Sequence, residues 1–139
     1  MDPVKRYIKS HTTWAFRSAV RRAQWEWDIS RRHQRSLKKM RRLALHFPVK
    51  LNLGSGPNVR PGWLNIDLFH PAADVQLDLR EPWPLPDGSV SFIYSEHMFE
   101  HFEFQEEVPH LLSESLRVLH PAGVFDVGKL AKLPAMPGS

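Results

Sequence analysis

The sequence predicts an α/β fold, a doubly wound parallel sheet, with a basic helical N-terminal extension. Three observations predict it. From residue 49 onward, short apolar runs rich in strand formers alternate with loop or helical segments. The first of these runs stops at two glycines one residue apart, as a strand feeding a tight turn would. The charge is also divided: residues 1–48 carry 13 Lys/Arg and 3 Asp/Glu, whereas residues 49–139 carry 6 and 12. The expected organisation is an amphipathic helical segment over 1–48, a sheet domain over 49–128 and a disordered tail over 129–139.

The extension comes first. Ser10 to Thr13 offer helix-capping side chains, and Phe16, Val20, Ala23 and Trp27 then recur at spacings of four, three and four. Leu37, Met40, Ala44 and Phe47 continue a similar stripe beyond a polar stretch, Arg31 to Arg35. This reads as a pair of helices or one long bent one, its apolar stripe packed on the domain and its basic face solvated. An RNA contact and an anionic membrane surface are the alternatives, since interleaved Arg, Lys and Trp suit either partner. Pro48 marks the boundary.

Val49 to Leu53 is the first predicted strand, and Gly54-Ser55-Gly56 the turn after it. Glycine there admits positive φ and lets backbone N–H groups approach a ligand. Alone the pattern is weak, because a plain strand-ending turn looks the same. Leu64 to Leu68 and Val75 to Leu79 are the second and third predicted strands, each carrying an acid near its end, Asp67 and Asp78. The connection 57–63 is short for a parallel crossover, so either the helix expected there is reduced to a turn or the second strand begins later. Trp83 to Ser89 is a proline-stiffened loop into the fourth strand, Val90 to Ser95. A helical stretch over 111–119 ends at His120-Pro121-Ala122-Gly123, before a fifth strand, Val124 to Val127. Right-handed crossovers then require the strand order 3-2-1-4-5, with helices on both faces.

Glycine turn, acid, acid, polar strand end and Arg117-Val118-Leu119-x-Pro121-x-Gly123 occur in one order. In that ordered set the chain resembles the class I S-adenosylmethionine-dependent methyltransferases, of the small type-11-like kind whose fourth strand leads into a His-x-x-Glu-His segment. The resemblance covers residues 49 to about 128. It implies a Rossmann-like fold, S-adenosylmethionine as cofactor and methyl transfer to an acceptor that the sequence does not name. It also implies that Gly54, Ser55 and Gly56 meet the methionine end, Asp67 with Leu68 the ribose, Asp78 with Leu79 the adenine, and that Ser95 and Glu96 close the site. Asp67 and Asp78 each retain a structural alternative as turn or helix caps.

His97 is the candidate catalytic base, because histidine is the side chain that titrates near neutrality. A structural histidine is the competing reading. His97-x-x-Glu100-His101 also matches the inverted zinc-hydrolase pattern, two histidines four apart with an acid between. No third ligand is announced elsewhere, so no metal is expected. The family's last helix and strand pair have no counterpart in the sequence, which suggests truncation. The fifth strand would then be an exposed edge, open to self-association unless covered. A degenerate methyltransferase domain acting as a non-catalytic binding module is therefore the alternative function. With no cysteine, disulfides and thiolate chemistry are excluded; with no apolar run near the roughly 18 residues of a membrane span, a cytoplasmic protein is the expectation.

Overall fold

The structure, a computed structural model, describes residues 1–128. It divides into two compact units, 1–31 and the chain from Arg32 onward. The predicted tail, 129–139, lies outside the described residues.

The first unit is helical. Helix α1 spans Pro3–His11, begun by the Asp2 carboxylate accepting from the Val4 N–H and by proline in the first turn. Helix α2 spans Trp14–Arg42 without a break, so Arg31 to Arg35 is not a connection between helices. The helix pair instead divides at Thr12 and Thr13, where the Thr13 hydroxyl accepts from the Phe16 N–H. The Arg17 guanidinium donates to the Thr12 and Lys9 carbonyls at this junction. Within this unit Phe16, Val20 and Trp27 are exposed.

The second unit holds a four-stranded sheet, with β1 at Val49–Leu53, β2 at Leu64–Ile66, β3 at Val90–Ser95 and β4 at Leu119–Asp126. All pairings are parallel and the order is β2-β1-β3-β4. Val75 adds one parallel bridge outside β2, at Ile66. The predicted order is thus kept, but the third predicted strand is only that bridge. The reason lies in α2: the Gln76 N–H donates to the Ser36 hydroxyl at 2.8 Å and the Asp78 N–H to His33 Nδ1 at 3.0 Å. Side chains of a helix satisfy the donors that a neighbouring strand would have taken.

Two further boundaries differ. β2 ends at Ile66, because Asp67 turns its carboxylate to the N–H groups of Phe69 and His70. β4 begins at Leu119, which pairs with Val90 while Val124 pairs with Phe92; the intervening His120 to Gly123 bulge out of the ladder. Helix α3, Glu107–Val118, links β3 to β4 after a short 3-10 turn at Phe99–His101.

The core is built from Leu51, Leu53, Ile66, Val75, Val90, Ile93, Leu111 and Val118, all at most 1% exposed. Each such side chain contributes roughly 1.5–3 kcal/mol on burial. Leu111, Ser115 and Val118 form the buried stripe of α3. Arg117, between them, uses all five of its donors. It bonds both Glu114 oxygens, the Trp83 and Leu85 carbonyls and Asp87, at 2.8–3.0 Å. That one side chain ties α3 to the loop that delivers β3. On the edge strand, Phe125 packs edge-on to Phe99 with ring centroids 5.9 Å apart, so it is half-buried within its own unit.

Candidate functional site

The chain leaves β1 for β2 on one side and later returns to β3 on the other, so the C-terminal ends of β1 and β3 form the crevice where open parallel sheets bind ligands. Leu53 pairs with Ser95 there, directly before Gly54. Gly54 has φ 64° and Gly56 φ 50°, the region that glycine enters without strain. The two glycines serve different ends. A Cβ on Gly54 would lie 3.0 Å from the Met98 Cβ, whereas a Cβ on Gly56 would meet nothing within 4 Å. Gly54 lets the segment after β3 pack on the turn, and Gly56 leaves bare backbone open.

The donors of this turn are already engaged. The N–H groups of Gly54 and Ser55 both donate to the Ile66 carbonyl, at 2.8 and 3.1 Å. The Gly56 N–H donates to Asp67 Oδ2 at 2.9 Å. Asp67 therefore performs the turn-capping role and also locks the glycine turn. Its Oδ2 accepts one bond where a carboxylate oxygen takes about two, which leaves acceptor capacity beside Gly56. Leu68 follows on the same turn. Asp78 is buried and its carboxylate is taken up by Arg80, through Nε and Nη2 at 2.9 Å each. Leu79 is buried beside it, its carbonyl accepting from the Trp83 indole at 3.1 Å. Two hydroxyls contrast with these satisfied groups: Ser55 Oγ and Ser95 Oγ are buried and have no hydrogen-bond partner.

Beyond Ser95 the site is acidic and open. Glu96 accepts from the Tyr94 hydroxyl at 2.8 Å, and that bond holds the phenol's pKa above its ordinary value. The Arg60 guanidinium lies over the face of this ring, 3.7 Å from its centroid. His97 is the one non-glycine residue with positive φ among the described residues, at 54°. Its Nε2 lies 3.6 Å from Glu96 and its Nδ1 3.7 Å from Glu100. Such backbone strain is common at functional sites. Glu100 and His101 sit on the 3-10 turn, not on an α-helix, so the spacing of four does not set two imidazoles on one helical face. No group of three or more His, Cys, Asp or Glu placed to hold a metal ion occurs among the described residues.

A buried amide network, absent from the reading of the sequence, shapes the turn. Asn52 donates to Asn65 Oδ1 at 2.9 Å and to the Asn58 carbonyl at 3.0 Å. Asn65 also accepts from the Arg60 N–H and donates to the Arg60 and Trp63 carbonyls. Asp74 receives both the backbone and side-chain N–H of Asn65. This network replaces the missing crossover helix by fixing residues 58–63 directly. The signal was present in the sequence: β1 and β2 each carry one asparagine, Asn52 and Asn65, and the two are register partners.

These features fall largely inside one recognised unit. A family model described as a methyltransferase domain matches residues 61–127, beginning just after the glycine turn. No curated protein matches the chain. Members of the matching family use S-adenosylmethionine. A parallel sheet in this order, its crevice at the ends of β1 and β3, and the match over β2 to β4 agree, and residues 61–127 are a class I S-adenosylmethionine-dependent methyltransferase domain.

Proposed function

We propose that the crevice binds S-adenosylmethionine and that the chain transfers its methyl group to an acceptor presented beside His97. The observation that carries this reading is the pair of unpartnered buried hydroxyls, Ser55 and Ser95, on adjacent strand ends. A hydroxyl buried without a partner costs about 1–3 kcal/mol, and a polar ligand would recover that cost. Open backbone at Gly56 and spare acceptor capacity on Asp67 suit a nucleoside's hydroxyls. Asp78 and Leu79 form the wall for its base, and Glu96 borders the opening.

When bound, the cofactor supplies an electrophilic methyl group on a sulfonium. The protein's own residues do the rest. Met98 over Gly54 and the Ser95 end of β3 shield the crevice from water, and His97, held between Glu96 and Glu100, accepts a proton from the attacking group. The test is calorimetric titration of the folded chain with S-adenosylmethionine and its demethylated product. Wild type should bind both, and Ser55→Ala and Ser95→Ala should each weaken binding about 3- to 10-fold without lowering the melting temperature. A folded wild-type chain that binds neither at about millimolar concentration would refute the proposal and leave the non-catalytic binding module. A Ser95→Ala variant with undiminished affinity would remove the hydroxyls from the site.

A further inference from the structure

Unit 1 carries an apolar surface that its own fold does not use. Helix α1 has no buried residue; Val4 is 63% and Tyr7 64% exposed. At 100° per residue Val4, Tyr7, Ile8 and His11 share one side of α1, Tyr7 and His11 stacking at 3.9 Å, while Lys5, Arg6 and Lys9 take the other. On α2, Phe16, Ala19, Val20, Ala23 and Trp27 fall within a sector about 100° wide that contains no charge. All five are exposed, Phe16 at 57% and Trp27 at 66%. Pro3 to Arg22 contains six Lys/Arg and no Asp/Glu.

We propose that α1 and the first half of α2 bind an anionic lipid surface, lying in its interface. On α1 apolar and cationic groups occupy separate sectors, and on α2 the Phe16 to Trp27 stripe is free of charge, with Trp14 and Trp25 on the cationic side: the apolar side enters the boundary of the acyl chains while Lys and Arg stems reach up to lipid phosphates. A nucleic acid would be met by cations and aromatic planes on one face. Trp14 and Trp25 do lie beside Arg17, Arg21 and Arg22 on α2, but the charge-free sides mix aliphatic Val4, Ile8 and Val20 with their aromatics, and these aliphatics have no use against bases. Charge selects the lipid: six cations without a nearby acid, apart from Asp2 at the cap, match a negatively charged headgroup layer. The chain would lie on the membrane and not cross it, because no helix among the described residues is long and apolar enough to do so.

The experiment is vesicle co-sedimentation of the full chain, with tryptophan emission as a second readout. Phosphatidylcholine vesicles containing about one third phosphatidylserine should bind the chain at least about tenfold more tightly than pure phosphatidylcholine, with a blue shift in emission. Phe16→Glu with Val20→Glu should abolish that binding while leaving the far-ultraviolet circular dichroism unchanged. Lys5→Gln, Lys9→Gln and Arg21→Gln together should weaken it about a hundredfold and remove the preference for anionic vesicles. This second variant keeps the apolar stripe, so it decides the matter even where the first misfolds. Equal binding to both vesicle types, or binding unchanged in the charge variant, would overturn the proposal. So would tight binding of a single-stranded RNA oligonucleotide with no binding to either vesicle.

Discussion

On the proposed function, Asp67 would couple folding to cofactor binding, and substituting it tests both. Its carboxylate accepts from Gly56, Phe69 and His70 at 2.9, 2.9 and 2.8 Å. A hydrogen bond to a charged group is worth about 1.5–3 kcal/mol, but the losses are unequal. Phe69 is exposed and its N–H can turn to water, whereas the Gly56 N–H belongs to a half-buried turn. Asp67→Ala should therefore cost about 2–4 kcal/mol. Asp67→Asn keeps Oδ1 for Phe69 and His70 but sets an amide NH₂ against the Gly56 N–H, at about 1.5–3 kcal/mol. At roughly 4 °C per kcal/mol, the asparagine variant should melt some 6–12 °C lower by circular dichroism. Calorimetry with S-adenosylmethionine should show at least about tenfold weaker binding for both variants, since each loses the spare acceptor and loosens the glycine turn. An Asp67→Asn variant within about 0.5 kcal/mol of wild type would refute the locking role. Loss of stability with full affinity would refute the cofactor role.

Three other outcomes follow from the same geometry. Asn65→Leu strands the buried Asn52 amide and frees residues 58–63, so it should destabilise by about 3–5 kcal/mol in urea melts; the double variant with Asn52→Leu should cost less than the two singles summed. Arg117→Ala leaves the Trp83 and Leu85 carbonyls without their donor and the Glu114 carboxylate with only the Trp83 N–H, at about 3–4 kcal/mol, and adding Glu114→Gln should recover part of it; the Asp87 pair is too exposed to count. Glu114's pKa is lowered, first by the hydrogen bond from Arg117. A depressed folded pKa gives stability that is present above the ordinary glutamate range and is lost as pH falls through the folded value. The denaturation midpoint should thus drop more steeply with acid in wild type than in Glu114→Gln.

Much of the fold was legible because it rests on local pattern. The runs at Val49, Leu64 and Val90 are apolar and bounded by glycine, proline or aspartate, and the strand order follows from right-handed connections, which need no knowledge of side-chain partners. The short gap 57–63 correctly announced a missing crossover helix. The sequence put Gly54 to Gly56 and Ser95 at strand ends, which open parallel sheets present to ligands, and the structure brings Gly54 and Ser95 together at the ends of β1 and β3, while Asp78 lies outside any strand.

What the sequence left open depended on which donor meets which acceptor at long range. Val75 to Leu79 has strand composition, yet His33 and Ser36, more than 35 positions earlier, take its N–H groups and confine it to one bridge. The glycine-turn donors looked free for a ligand, but Ile66 and Asp67 claim them, because parallel pairing brings the end of β2 beside the turn. Helical spacing identified the Phe16 to Trp27 stripe without saying what covers it, as periodicity fixes a face and tertiary packing decides its neighbour. Sequence thus determined the elements and their order, and tertiary structure decided which polar groups are spent on folding and which, Ser55 and Ser95 among them, are left without a partner.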